Sequence, residues 1–478
     1  MNRDLAWQSA HRLAELVRTR EVSASEVVAA TFNRIEDTEG TLHAFLTLDR
    51  EGASARAAEI DRELAAGAKP GPLSGVPFSV KDQIWTKGVR TTAGSLQLAS
   101  HVPSTDAACV RRLKDAGALM IGKTNTPEYG LSWRTHNKLG PETVNPWDLT
   151  RTSGGSSGGA AASLAAGITP IAIGADGAGS IRLPAAFCGV VGLHVSLGRV
   201  PRYGVFDGGF HVSGIGPMTR DIRDAAIVYE LISGPDGHDP TCIRGGNGDA
   251  VEGLEAGLDG VSFVWWASDA ASETRDERVM ASSKTAADRL AGPGLAESTL
   301  ELDLERYRDV LATISSVDRY ARLGQQRGSF DDPAARSLLG SEARQRFAEG
   351  KAATGAEFTR AMSARAQARA RLDDALEEYT LILAPVTPFV APLVPSAGGK
   401  EPRTPVNTFT YMANLTGLPA ISVPCGAVDG LPVGLQIIGR FGDEPTVLRA
   451  ARALEALYPW TDRRPPLAQS HGLTTAEA

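Results

Sequence analysis

TSGGSSGGAAAS, residues 152–163, sets two adjacent serines, Ser156 and Ser157, among glycines and alanines, and GADGAGS, residues 174–180, ends on a third, Ser180. Lys81 closes the apolar run GVPFSV. A serine hydroxyl is a poor nucleophile unless a base within hydrogen-bond reach takes its proton. Lysine serves as that base only when neutral, a form that burial in apolar surroundings favours. A lysine met in isolation would more ordinarily end a strand in solvent, here beside Asp82. Four readings of the glycine-serine stretch therefore compete: a flexible linker, a phosphate-cradling loop, a strained nucleophile turn, or a serine-rich catalytic segment of another kind.

The neighbours of the stretch weaken three of them. GGAAASLAAG is compatible with a helix and runs into ITPIAIGADGAGS, a strand followed by a second glycine turn, so the chain is not a loose linker there. A phosphate loop needs Gly-Lys-Ser/Thr to close its turn, whereas Gly158 and Gly159 precede alanines. Gly155-Ser156-Ser157-Gly158-Gly159 satisfies G-x-S-x-G, the pattern of a nucleophile elbow centred on Ser157, but an elbow follows an apolar strand and NPWDLTRTS is polar. His194, His211, His238 and His471 lie downstream, so counting leaves a Ser-His-Asp triad open.

Taken together, GVPFSVKD (75–82), GGSSGG (154–159) and GADGAGSIRLPAAFCGVVGL (174–193) resemble the amidase signature family of serine hydrolases. The match rests on the Lys after a Gly-Val-Pro strand, the 24-residue interval from Ser156 to Ser180 and the S-I-R-x-P-A run. It extends through TNTPEYG and NPWD to YMANLTGLPAISVPCG and GLPVGLQIIG, leaving out the middle third. The resemblance implies an α/β fold, an α/β/α sandwich around a large, mixed, twisted central sheet, with residues 1–478 as one domain. It also implies a Ser-cisSer-Lys triad in which Ser180 is the nucleophile, Ser156 the bridging serine after a cis peptide, and Lys81 the base. The backbone N–H groups of Gly177, Ala178, Gly179 and Ser180 would form the oxyanion hole. Asp176 and Arg182 would brace that turn through a charged hydrogen bond and stay outside the chemistry. The family's acyl-pocket wall falls on Tyr129–Trp133, making Gly130, Ser132 and Trp133 the substrate-binding candidates, in surroundings that suit an apolar or aromatic group.

Three departures from the family pattern bear on this. Ala178 stands where a glycine is common, and would cost about 1–2 kcal/mol if its φ were positive. His194 and Val195 replace the usual Lys-Pro, a position expected to be structural. Leu183 stands where the glutamine-amidotransferase branch usually has Gln. The implied activity is therefore hydrolysis of a small amide, or a carbamate (urethane) or ester, with water as the second substrate and neither metal nor other cofactor. The alternative is an amidotransferase A-type subunit that releases ammonia from glutamine for a partner protein. A scaffold without chemistry is disfavoured because Lys81, Ser156 and Ser180 are all present.

The elements that must position these residues alternate between strand and helix, as in an α/β sheet protein. Ser23 and Ser25 mark the cap of a helix over EVVAATFNRIEDTE, and an alanine-rich helix follows over 51–67. AACVRRLKDAG predicts a helix closed by Gly117, and ALMIG the next strand. LILAPVTP and AISVPCG read as buried strands. Between them, about residues 230–375, loop-like GPDGHDP and RGGNGD precede charged, alanine-rich segments, which predicts a variable helical insertion or cap shaping the substrate entrance.

Composition narrows the partners. At 478 residues, length alone would predict about three domains. The net charge of −7 provides no electrostatic footprint for nucleic acid or an anionic membrane. Cys109, Cys188, Cys242 and Cys425 are scattered without ligand spacing, so neither a zinc site nor a disulfide framework is expected. The N-terminal MNRDLAWQSAHRLAELVRTREVSASEVV lacks a signal peptide's apolar core, and Leu5, Leu13, Leu16 and Val17 fall mostly on one helical face. No run approaches the roughly 20 apolar residues of a membrane span. These features predict a soluble, cytoplasmic protein, with a homodimer as the one protein partnership the hydrolase reading leaves open.

Overall fold

The computed structural model describes residues 5–206, 209–245, 249–267, 275–298, 300–325, 330–403 and 405–469. His471 lies outside them, as does part of RGGNGD.

Local signals account for the first elements. Ser23 caps the helix Ala24–Leu42, accepting from the Glu26 N–H while Glu26 reaches back to the Ser23 N–H. Ser9 caps the preceding helix, Ala10–Arg18, which buries Leu13, Leu16 and Val17; Leu5 sits outside it in a short 3-10 turn. The helix Ala108–Asp115 ends at Ala116 and turns at Gly117, whose φ of +90° is open to glycine without a Cβ penalty.

Thirteen strands follow in chain order among the described residues: β1 Phe45–Leu48, β2 Pro77–Lys81, β3 Leu119–Thr124, β4 Val144–Asn145, β5 Asp148–Thr152, β6 Ile171–Asp176, β7 Val191–His194, β8 Gly214–Thr219, β9 Phe263–Trp265, β10 Leu295–Glu297, β11 Leu381–Pro385, β12 Ala420–Val428 and β13 Leu431–Ile438. Eleven form one sheet in the order β1-β3-β2-β6-β8-β7-β12-β13-β11-β9-β10, and β4 pairs with β5 as a separate hairpin. The sheet is mixed. β2 runs parallel to both β3 and β6, and β9 to both β11 and β10, while the pairs from β6 through β11 are antiparallel. Every residue of β2, β3, β6, β8, β11 and β13 is buried, because helices cover both faces and leave no strand side for water. The architecture is an α/β/α sandwich around a large mixed sheet, the fold that the resemblance implies.

The order of strands positions the functional segments. β2 and β6 are neighbours, with Val80 paired to Ile173, so the C-terminal ends carrying Lys81 and Asp176 lie side by side. The helix Gly158–Ala165, wholly buried and built of glycine, alanine, serine and leucine, contacts β2, β6 and β8. Small side chains are required there: a Cβ on Gly159 would meet the backbone of Ala44 and Asn125 at 2.5 Å.

Residues 230–375 are not wholly helical. The long helices Leu304–Arg319 and Gly355–Glu378 are present, but β9 and β10 from the same segment extend the central sheet beyond β11. These strands are three residues each, too short for a period of two to show against neighbouring loops.

Candidate functional site

Lys81 leaves the end of β2 fully buried, and its Nζ is hydrogen-bonded to Ser156 Oγ at 2.6 Å and to the Ala175 carbonyl at 3.2 Å. Ser156 follows a cis Gly155–Ser156 peptide and is itself buried. The two serine segments are joined where the Ser157 N–H donates to the Ser180 carbonyl at 3.1 Å. Lys81, Ser156 and Ser180 all line one cavity of about 340 Å³, together with Gly130, Ser132, Trp133, Gly177, Ala178 and Gly179. Chain positions separated by 99 residues, Lys81 to Ser180, thus meet at one surface.

Ser157, the serine of the elbow pattern, does not line this cavity. It is fully buried and its hydroxyl donates to Ala175 O at 3.3 Å. No histidine among the described residues lines the cavity. His211 pairs through Nδ1 with Asp318 at 2.8 Å, and His238 stacks on Tyr203. His194 is wholly buried on β7, neither ring nitrogen has a hydrogen-bond partner among the described residues, and burial pushes its imidazole down to about 3 against the pull of Asp176. Among the described residues, the Ser-His-Asp alternative has no geometric support.

The turn after β6 is held by Asp176. One carboxylate oxygen, Oδ1, accepts from the Gly179 N–H at 2.5 Å, and the other from Ile181 N–H at 3.1 Å and from Arg182 Nε at 3.0 Å. Burial would push this carboxyl up, but the Arg182 charge and the hydrogen bonds from Arg182 and Asn414, acting with the other neighbours, hold the group well below the ordinary carboxylate range. The Gly179 amide thus donates to Asp176, and Gly177, Ala178, Gly179 and Ser180 stand as the candidates for the oxyanion donors. Among the described residues, Ala178 is not in the positive-φ region, so the strain its side chain could have caused does not arise. Gly179 is, at φ +115°, and a Cβ there would collide with the Thr410 side chain.

Arg182 braces the turn as expected from the sequence, and it is also a hub whose further partners the sequence leaves hidden. Fully buried, it also donates to Thr410 O at 2.9 Å, to Gln436 Oε1 at 2.5 Å and to Asn414 Oδ1, while Asn414 Nδ2 donates to the Asp176 carbonyl at 2.8 Å. Thr410, Asn414 and Gln436 come from the helix Tyr411–Thr416 and its approach, and from β13, so the turn is anchored to the far half of the sheet. The signal in the sequence is a polar side chain inside an apolar run, as in MANLTGLPA and VGLQIIG.

Gly130 sits at φ +70°, and a Cβ there would come within 3.1 Å of Ser156 Oγ and 2.8 Å of Gln83 Oε1, so this position must stay bare for the site to keep its shape. Trp133 donates its Nε1–H to Glu401 at 3.1 Å and packs in a cluster with Leu183, Phe187, Val406, Ala391 and Phe389. That cluster forms an apolar wall. Facing it, Arg308, Leu311, Ala312, Ser315 and Arg319 project from one helix, Leu304–Arg319.

The only group of potential metal ligands among the described residues, His11, Asp221 and Asp224, stands apart from this cavity. Its Asp224 carboxylate already accepts from the Ala10 and His11 N–H groups and from His11 Nδ1.

Fold and site together describe an enzyme of the amidase-signature class, acting on C–N bonds. The chain belongs to the amidase family, whose model, described as Amidase, matches residues 26–448. Among curated relatives, the A-type subunit of a glutamyl-tRNA(Gln) amidotransferase from Geobacillus kaustophilus is 37% identical over 484 residues, spanning 96% of this chain and 99% of the relative. Among solved structures, a bacterial aryl acylamidase superposes with a TM-score of 0.87 at 28% identity, covering 95% of this chain and 97% of its own. A 6-aminohexanoate cyclic dimer hydrolase complexed with substrate superposes at 0.85, again at 28% identity, covering 97% and 99%. No helix among the described residues is long and apolar enough to cross a membrane.

Proposed function

We propose that this chain hydrolyses the C–N bond of a small amide, or the corresponding bond of a carbamate or ester, through an acyl-enzyme on Ser180. The observation that carries the reading is the 2.6 Å contact between buried Lys81 and Ser156 in the cavity that Ser180 also lines. Ser180 Oγ attacks the carbonyl carbon as its proton passes to Ser156, whose own proton passes to Lys81. The oxyanion faces the Gly177 and Ala178 turn. Collapse breaks the C–N bond, the proton returns through Ser156 to the departing amine, and water repeats the sequence in the second half to release the acid and restore Ser180. The acyl group lies against Leu131, Trp133, Leu183 and Val406, which favours an apolar or aromatic substrate. The helices of 230–375 shape the entrance through Arg308, Leu311 and Arg346.

A second reading, release of ammonia from glutamine for a partner protein, is favoured by the whole-chain likeness to the A-type subunits of amidotransferases. The site speaks for the first. Leu183 replaces the Gln of that branch, and the α-ammonium of glutamine would need a negative partner. Among the described residues, the one acidic side chain lining the cavity is Glu401, which is 71% exposed and already engaged by Trp133.

The test is hydrolysis by the purified chain alone. Turnover of a neutral anilide well above that of glutamine supports the hydrolase; glutaminase activity that rises only on addition of a partner protein would establish the amidotransferase instead.

A further inference from the structure

The cavity is strongly unbalanced in charge. Among the described residues, four basic side chains line it, Lys81, Arg308, Arg319 and Arg346, against the single carboxylate of Glu401. Arg346 is met by Glu349 at 3.0 Å, on a surface where both are substantially exposed. Arg308 is different. It lies half-buried on the cavity-facing stripe of the helix Leu304–Arg319, one turn before Ala312 and two before Ser315, so its direction is set by the helix. Its Nε is buried without a hydrogen-bond partner, and among the described residues it forms no ion pair. The Tyr411 ring lies beside it, with the guanidinium carbon 5.9 Å from the ring centroid. A buried guanidinium N–H left without an acceptor is costly, and the planar fork of donors that it belongs to matches a carboxylate.

We propose that Arg308 forms a subsite for an anionic, planar group of the substrate, a carboxylate remote from the scissile bond. The apolar wall takes the hydrocarbon portion and Arg308 takes the acid, so the substrate class narrows from amides at large to amides that carry a free carboxylate. This rests on the acyl-transfer reading for the word substrate, whereas the anion subsite itself can be examined by binding alone.

Two measurements separate the claims. In the first, phenylbutyrate and its neutral analogue phenylbutanol are titrated calorimetrically into the full chain, into Arg308→Gln and into Arg308→Lys, at low and high salt, with thermal melting as the check on folding. The carboxylate is expected to bind about tenfold or more tighter than the alcohol in the wild type, an advantage that shrinks with salt, falls partway in Arg308→Lys and vanishes in Arg308→Gln. Equal binding of the two compounds, no carboxylate binding, or a preference that survives in Arg308→Gln overturns the proposal. In the second, succinyl-nitroanilide is compared with butyryl-nitroanilide, and the carboxylate is expected to raise kcat/KM mainly through KM. Turnover of both anilides without a carboxylate preference defeats the subsite and leaves the hydrolase standing. Failure to turn over either, with Ser180 unreactive toward a fluorophosphonate, defeats the hydrolase, and the calorimetry still decides the subsite.

Discussion

His194 supplies a prediction in which stability and mechanism are read from one substitution. It is wholly buried on β7 with both ring nitrogens unbonded, and burial depresses its pKa to about 3 from an ordinary value near 6.5. Between those two values the unfolded chain binds a proton at this side chain and the folded chain does not, so stability falls as the pH drops through about 6.5 and continues to fall toward about 3. Each pH unit in that window is worth about 1.4 kcal/mol, so about 2 kcal/mol is lost from this residue by about pH 5. His194→Leu keeps the volume and removes the proton. Because the other titrating groups are common to both proteins, the difference in unfolding free energy between variant and wild type, followed by denaturant titration across pH, isolates the imidazole. The gap is expected to be flat above about pH 7 and to widen in favour of the variant by about 2 kcal/mol at about pH 5. A gap that stays constant over that range would refute the picture of a buried, neutral, unpartnered histidine. The same variant should retain amide turnover, since His194 lies outside the cavity; a folded but inactive His194→Leu would overturn the assignment of Lys81 as base.

Other substitutions probe the site directly. Ser180→Ala should melt like the wild type yet give no covalent fluorophosphonate adduct by intact mass spectrometry, and labelling mapped to Ser157 would return the nucleophile-elbow reading. Lys81→Met should lose about a thousandfold or more in kcat/KM, because Ser156 then has no base at its hydroxyl; wild-type activity should rise toward alkaline pH, where the amine is neutral, and a profile that falls over that range would contradict the role. Gly130→Ala forces a Cβ to within 3.1 Å of Ser156 Oγ at a positive φ, so kcat should fall by about a hundredfold with the fold preserved; unchanged kinetics would show that Ser156 does not need its position.

The amino-acid sequence by itself determined what depends on near neighbours. The Ser23–Glu26 capping box, the turn at Gly117, the small-residue helix after Ser157 and the strand ending at Lys81 are local events, set by propensity, capping and periodicity within a few residues. The spacing of Lys81, Ser156 and Ser180 was legible for the same reason, as a pattern of short motifs. Tertiary structure decided which of these patterns meet. The pairing of β2 with β6 brings the ends carrying Lys81 and Asp176 together, the packing of the small-residue helix brings Ser156 to Lys81, and only the closed turn shows the Gly179 amide donating to Asp176. Arg182 reaches Asn414 and Gln436 across more than 200 residues of chain, and Arg308 enters the cavity because the helix carrying it docks opposite the serines. The order in which eleven strands pair is nonlocal, and no period along the chain encodes it. A side chain's charge and shape are written at its own position, but its partner is selected by the packing of elements that are distant in sequence.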